Sequence, residues 1–200
     1  MKYLNTNQII FTVFLIFGLS APSDACEKHN SQNAESTSLP SNSLYHMNSK
    51  WTNQDNGTVL LSEFAGRPRL IAMVYTKCST ACPLLVRDIK SMTSKIPKVL
   101  FDKLTVDLFS FDSDSENSKS LQSFKEKYKL TESWSTYFGP KGSVSELAAA
   151  LGIQYKKLPS GEYIHSNVVF FINENGEVIA KHEGLGRDVS EFIKKIENAL

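Results

Sequence analysis

The stretch RLIAMVYTKCSTACPLLVRDIKSM, residues 69–92, decides the architecture. Its first part, Leu70 to Tyr75, is a near-continuous apolar run, the pattern of a central strand covered on both faces. From Pro83 the spacing changes: Leu84, Leu85, Ile89 and Met92 recur at helical intervals. Proline is favoured in the first turn of a helix, so TKCSTACP reads as a strand-to-helix turn with Cys82 at or beside the helix N-terminus.

Outward from this unit the same alternation repeats. Upstream, a short hairpin is predicted to turn at Asn56-Gly57, followed by a loop at Gly66-Arg67-Pro68. Downstream, the pattern predicts a strand over Leu104 to Phe111, a helix over Ser118 to Tyr128, a strand over Trp134 to Phe138 and a helix over Val144 to Leu151. Val168 to Ile172 and Glu177 to His182 form a hairpin around Asn173 to Gly176, and an amphipathic helix from Asp188, as cap, to Leu200 closes the chain. The sequence therefore predicts one α/β domain over residues 51–200, a mixed sheet flanked by helices with an N-terminal hairpin. There is no internal repeat, Gly-rich phosphate loop or nucleophile elbow.

The preceding residues read differently. IIFTVFLIFGL, Ile9 to Leu19, follows Lys2 and precedes small and polar residues. The run is too short for a hydrocarbon core of ~30 Å, so residues 1–25 read as an export signal, or as a membrane anchor if uncleaved. Cleavage is expected after Ser23 or Ala25, with Cys26 a lipid-modified first residue as the alternative. Residues 26–50, rich in serine and asparagine, are expected to form a flexible tether, with His29, His46 and Met47 as solvated linker residues. An exported protein on the periplasmic side follows, touching the membrane only through its N-terminus.

In 200 residues, 41% hydrophobic and 22% charged, 22 Lys and Arg face 21 Asp and Glu, a formal charge of +1. That balance builds a core but supplies no general field for nucleic acid. Three cysteines are an odd set, too sparse for a disulfide-built scaffold.

Chemistry concentrates at Cys78 and Cys82. A helix N-terminus lowers thiol pKa, which favours the nucleophilic and metal-binding thiolate. The pair could be a structural disulfide, but a bridge closing so short a loop removes little unfolded-state entropy. Zinc normally asks for four ligands in a structural site, and no second cysteine pair exists. Two thiolates and one imidazole suit three-coordinate copper(I). His165, ending the loop LPSGEYIHS before the buried strand Val168 to Ile172, is the best-placed histidine, although a lone loop histidine is more often structural or exposed. His182, on a predicted hairpin strand, reads as surface.

At these residues the chain resembles the SCO/SenC family. The blocks YTKCSTACP, FSFDSDSENSKSLQSFKEKY and EYIHSNVVFFINENGEVIAKHEG carry the likeness, which spans Trp51 to Leu200. The resemblance implies a thioredoxin-like fold and copper held by Cys78, Cys82 and His165. It also implies a copper(I) metallochaperone that helps build the copper A centre of cytochrome c oxidase, with an apo oxidase subunit or another copper or thiol protein as partner. A thiol-disulfide oxidoreductase, with Cys78 and Cys82 as a redox pair reducing an exported protein, is the alternative. The chain departs from the family in Ser79 and Thr80, where proline and aspartate are common. Asp112 is followed by Ser113 instead of proline, with Glu116 near the place of a second aspartate. Asp112 and Glu116 are read either as partner-guiding or as a solvated acidic loop; Lys77 and Arg87 flank the motif as thiolate-stabilising groups or, more simply, as surface charge.

Overall fold

The computed structural model describes residues 38–200. Its centre is the predicted strand-turn-helix unit, with β3 at Arg69–Val74 and α1 at Ala81–Lys95. Leu70 to Val74 are all buried, as the continuous apolar run requires. Along α1, Cys82, Leu85, Val86, Ile89 and Met92 form the buried stripe, and Pro83 lies in its first turn.

Strand β3 pairs in parallel with β4 (Thr105–Ser110), which pairs in parallel with β5 (Trp134–Phe138). On the other side β3 is antiparallel to β8 (Val168–Ile172), which turns into the antiparallel β9 (Val178–Glu183). The N-terminal hairpin, β1 (Lys50–Asn53) and β2 (Thr58–Leu60), joins β5 to complete a mixed seven-stranded sheet in the order β2-β1-β5-β4-β3-β8-β9. Helices α2 (Lys98–Phe101), α3 (Ser118–Tyr128), α4 (Lys141–Ala150) and α5 (Ser190–Ala199) complete the flanking layers. This is the thioredoxin-like arrangement. Because β8 is antiparallel to β3, its beginning lies at the edge where β3 ends, with Ala72 opposite Val169. That geometry brings the chain before β8 beside the chain after β3.

Several boundaries differ from expectation. The ordered domain starts before Trp51: a short helical turn at Leu44–His46 buries Leu44 and Tyr45. Leu44 N–H donates to the Gly176 carbonyl at 2.9 Å, and the Ser43 hydroxyl donates to the Asn175 carbonyl. Gly176 has φ +85°, and a Cβ there would fall 2.5 Å from Ser43 Oγ, so only glycine accepts this strap. The polar composition of residues 38–47 concealed it because two side chains anchor the whole segment. The tether, export signal, His29 and Cys26 otherwise lie outside the described residues, among which no helix is long and apolar enough to cross a membrane.

Helix α4 begins at Lys141 after Pro140, a turn earlier than predicted. Asp188 accepts from Ser190 N–H, but the residue bordering α5 is Val189, which has no side-chain bond to the helix. His182 is buried and packs 5.8 Å from the Phe192 ring, not on the surface as expected; alternation on β9 turns Ala180 and His182 inward beneath α5. A second sheet was not foreseen. β6 (Tyr155–Lys157) and β7 (Tyr163–His165) form an antiparallel hairpin in the loop before β8.

Candidate metal centre

Between β3 and α1 the chain makes a tight turn, in which Cys78 N–H donates to the Tyr75 carbonyl at 3.2 Å. Helix α1 then aims its free amides back at Cys78. Cys82 N–H donates to Cys78 Sγ at 3.2 Å. Burial pushes the Cys78 thiol up, but the amides of Cys82, Thr80 and Ala81 more than offset it, and the pKa falls below the ordinary thiol value. Cys82 lies deeper, at the start of the buried stripe, and burial drives its pKa far up. Both are free thiols. The turn thus sets the two sulfurs apart, Cys78 with its pKa lowered by backbone amides and Cys82 with its pKa raised by burial. Lys77 is exposed, and the exposed Arg87 guanidinium faces Asp88 at 4.0 Å, so backbone amides and not these cations tune the pair.

His165 arrives from β7. Its ring packs on Phe111 at 4.6 Å and edge-on to Tyr75 at 6.4 Å. With Nδ1–H donating to the Ser166 carbonyl at 3.1 Å, Nε2 is left as the lone-pair nitrogen. Burial lowers the pKa, which keeps the ring neutral, as a metal ligand must be. Tyr155 and Tyr163 complete the aromatic bed: Phe111 stacks on Tyr155 at 5.5 Å, and Tyr163 packs on Tyr75 at 5.1 Å.

The ligand-capable atoms of Cys78, Cys82 and His165 all lie within 4.8 Å of one another. Metal–sulfur bonds of ~2.3 Å in a planar three-coordinate site would set such atoms ~4 Å apart, so the group closes on an ion with side-chain adjustment alone. Two soft sulfurs and one imidazole favour copper(I). A cleft of about 300 Å³ opens onto the site between Tyr75, Cys78, Leu158, Tyr163 and His165. Cys78 lines it and Cys82 does not. His46 bonds the Pro40 carbonyl at 2.8 Å and Met47 packs against the core; neither joins the group.

The acidic residues are neither a solvated loop nor a partner-facing patch: Asp112 is 3% and Glu116 9% exposed. Glu116 accepts from Thr76 N–H (2.7 Å), Thr76 Oγ1 (2.9 Å), Ser110 Oγ (3.1 Å) and Ser120 Oγ (2.6 Å), clamping the chain just before the cysteine turn to β4 and α3. Asp112 accepts from the Ser115 hydroxyl, the amides of Asp114 and Ser115, and Tyr163 Oη at 3.3 Å. Burial alone would raise its pKa, but these donors and Lys157 hold it below the usual carboxylate range. Lys157 reaches across to Asp114 at 2.8 Å. These two acids are therefore internal fasteners, one for each half of the site.

The described domain matches the family model for SCO1/SenC over residues 40–200. A SCO1 protein homolog of Bacillus subtilis (strain 168) is 28% identical over 139 residues, covering 66% of this chain and 70% of that protein. Among solved structures, a SCO1/SenC family lipoprotein from Bacillus anthracis superposes with a TM-score of 0.68 at 20% identity, over 75% of this chain and 91% of that one. ScoI of Bradyrhizobium japonicum, solved with copper bound, gives 0.64 at 18% identity, over 76% and 97%.

Proposed function

The chain belongs to the SCO1/SenC family, and from that premise we propose that it is a copper(I) metallochaperone assisting assembly of the copper A site of cytochrome c oxidase. The observation that carries the reading is the convergence of Cys78, Cys82 and His165 within 4.8 Å. Copper(I) is the cargo. The cysteine turn supplies two sulfurs, and the hairpin supplies a neutral imidazole. Cys78 borders the cleft, so a thiolate of an apo oxidase subunit, or of another copper or thiol protein, meets the ion on that side and displaces the ligands stepwise. Cys82, behind it, is the last sulfur to let go. The N-terminal pattern supports an exported protein on the periplasmic side, soluble or tethered.

Anaerobic copper(I) titration of the wild type and of Cys78→Ala, Cys82→Ala and His165→Ala tests this. Loss of a direct ligand is expected to weaken binding by at least the ~10–100-fold typical of outer-sphere substitutions, and more for either sulfur than for the imidazole. Undiminished binding in all three variants sinks the reading.

One observation favours a second reading: the pair is asymmetric, since Cys78 lines the cleft and has its pKa lowered by amides, whereas Cys82 lies behind it with its pKa raised by burial. That is the layout for thiol-disulfide exchange, in which Cys78 thiolate attacks a partner disulfide and Cys82 resolves the mixed disulfide, leaving the partner reduced and this pair oxidised. Reductase activity that survives His165→Ala while cellular function is lost would show that reduction alone is an insufficient role.

A further inference from the structure

A cavity of about 370 Å³ adjoins Ser166 and Asn167, the two residues that join β7 to β8. Buried Leu151 and Val168 give it an apolar wall, and five polar side chains line the rest. Two of these, Lys181 and Glu183, satisfy each other at 2.6 Å. The other three have unused capacity among the described residues: the Ser166 hydroxyl and the Arg187 guanidinium bond to no protein group, and the buried Asn167 Oδ1 has no partner. Arg187 lies at the cavity because residue 184 is glycine. With φ at +90°, a Cβ on Gly184 would fall 2.7 Å from Arg187 Nε and 3.0 Å from its Cδ, so a larger residue would push the side chain away. The same wall backs the candidate metal centre: the Ser166 carbonyl accepts from His165 Nδ1–H at 3.1 Å, Ser166 N–H donates to the Gln154 carbonyl at 3.0 Å, and Gly184 N–H donates to the Asn167 carbonyl at 2.9 Å.

We infer that this cavity binds the C-terminal end of a peptide chain and that its occupant braces the link that carries His165. Lys181 and Glu183 cancel, so Arg187 leaves the lining with one unbalanced positive charge, which calls for a monoanion. A guanidinium offers paired N–H donors that match the two oxygens of a carboxylate. The Ser166 hydroxyl adds a further donor. Asn167 Oδ1 is an acceptor, so the ligand must also bring a donor, and the amide N–H of a chain's last residue lies beside its carboxylate. A simple organic acid lacks that donor, and a phosphate dianion carries more charge than the cavity balances. Bound there, a chain end ties Ser166 and Asn167 to Arg187 beyond β9 and holds the β7–β8 link closed. Neither readout below involves copper, so a failure of this site and a failure of the metallochaperone reading are separate results.

Titration of the metal-free, isotope-labelled chain with acetyl-trialanine bearing a free carboxylate is expected to give saturable NMR shifts at the amides of Ser166, Asn167, Gly184 and Arg187. The same peptide amidated at its C-terminus, and the free acid against Arg187→Gln, are each expected to bind about tenfold or more weakly, since a charge-assisted pair is lost. Propionate, which lacks the N–H, and inorganic phosphate are expected to bind more weakly than the peptide acid. With the peptide acid at about ten times its Kd, hydrogen exchange at the Ser166 amide should slow about tenfold, the factor by which a ligand of the closed form suppresses opening. The site is overturned by an absence of saturable shifts, by equal binding of acid and amide, by undiminished binding to Arg187→Gln, or by propionate or phosphate binding as tightly as the peptide. Unchanged exchange at that occupancy overturns the brace.

Discussion

The two halves of the candidate metal centre are built by different physics. The cysteine half is a turn between a buried strand and a helix, fixed by backbone amides and by Glu116, with both sulfurs below the surface. The histidine half is a hairpin of two three-residue strands, held down by side chains: an aromatic bed, one hydroxyl on Asp112 and one lysine on Asp114. Ile164, beside His165 on β7, is 62% exposed. A strand buried on both faces is among the last parts of a domain to open, whereas a short exposed hairpin opens cheaply. For the copper-carrying role proposed above, the difference places retention in the sulfurs and adjustability in the imidazole.

The sharpest way to break the contrast is to loosen the rigid half. Glu116→Leu leaves Thr76 N–H and three hydroxyls without their acceptor, at a cost of about 2–3 kcal/mol, or roughly 5–10 °C in melting temperature for a chain of this size. Copper(I) affinity should fall with it, since Thr76 precedes the cysteine turn; calorimetric melting and chelator competition measure both. If the melting temperature drops and affinity does not, the clamp serves the fold and not the site.

Asp112→Asn addresses the other half and should act more gently. Opening of the β6–β7 hairpin, read by hydrogen exchange at the Tyr163 and His165 amides, should become about fivefold more frequent, equivalent to about 1 kcal/mol. The wild type should show the same change in acid. Asp112 has a folded pKa below the ordinary carboxylate value, so its contribution is complete above about pH 3.9 and fades as pH falls through the folded value. The Asn variant should have no such acid step.

Smallest of all is Lys157→Ala. Its ion pair with Asp114 is solvent-exposed and screened, so the melting temperature should be unchanged, and the hairpin should lose only a slight sensitivity to salt. A large loss would mean that the hairpin is hung on charge and not on its aromatic bed.

The cysteine half was legible in the sequence because its determinants are local. The run Leu70 to Tyr75, Pro83 in the first helical turn and the spacing of Leu85, Ile89 and Met92 each announce their element within a few residues. The histidine half was legible only as a position. Tyr155–Lys157 and Tyr163–His165 are too short for a period to register, although Ser160-Gly161 was a turn signal that could have revealed the hairpin. Asp112 and Glu116 read as partner-guiding or solvated charge because burial of a carboxylate depends on donors assembled in space, here hydroxyls and amides of Thr76 after β3, Ser110 on β4, Asp114 and Ser115 in the loop, Ser120 on α3 and Tyr163 on β7. His182 and the strap around Tyr45 were hidden for the same reason: each is buried by a partner on another element, Phe192 of α5 in one case and the Gly176 turn in the other.

The antiparallel β8 also sets an order of events as the chain matures. Cys78 and Cys82 face each other across a single local turn, while His165 reaches them only after the later strand has docked beside β3. Pairings between distant segments are the slow part of folding. A chain cut short before β7 therefore has both cysteines and no His165, and an oxidant that meets it finds two sulfurs with no imidazole beside them. The hairpin is what adds a nitrogen to a pair of sulfurs.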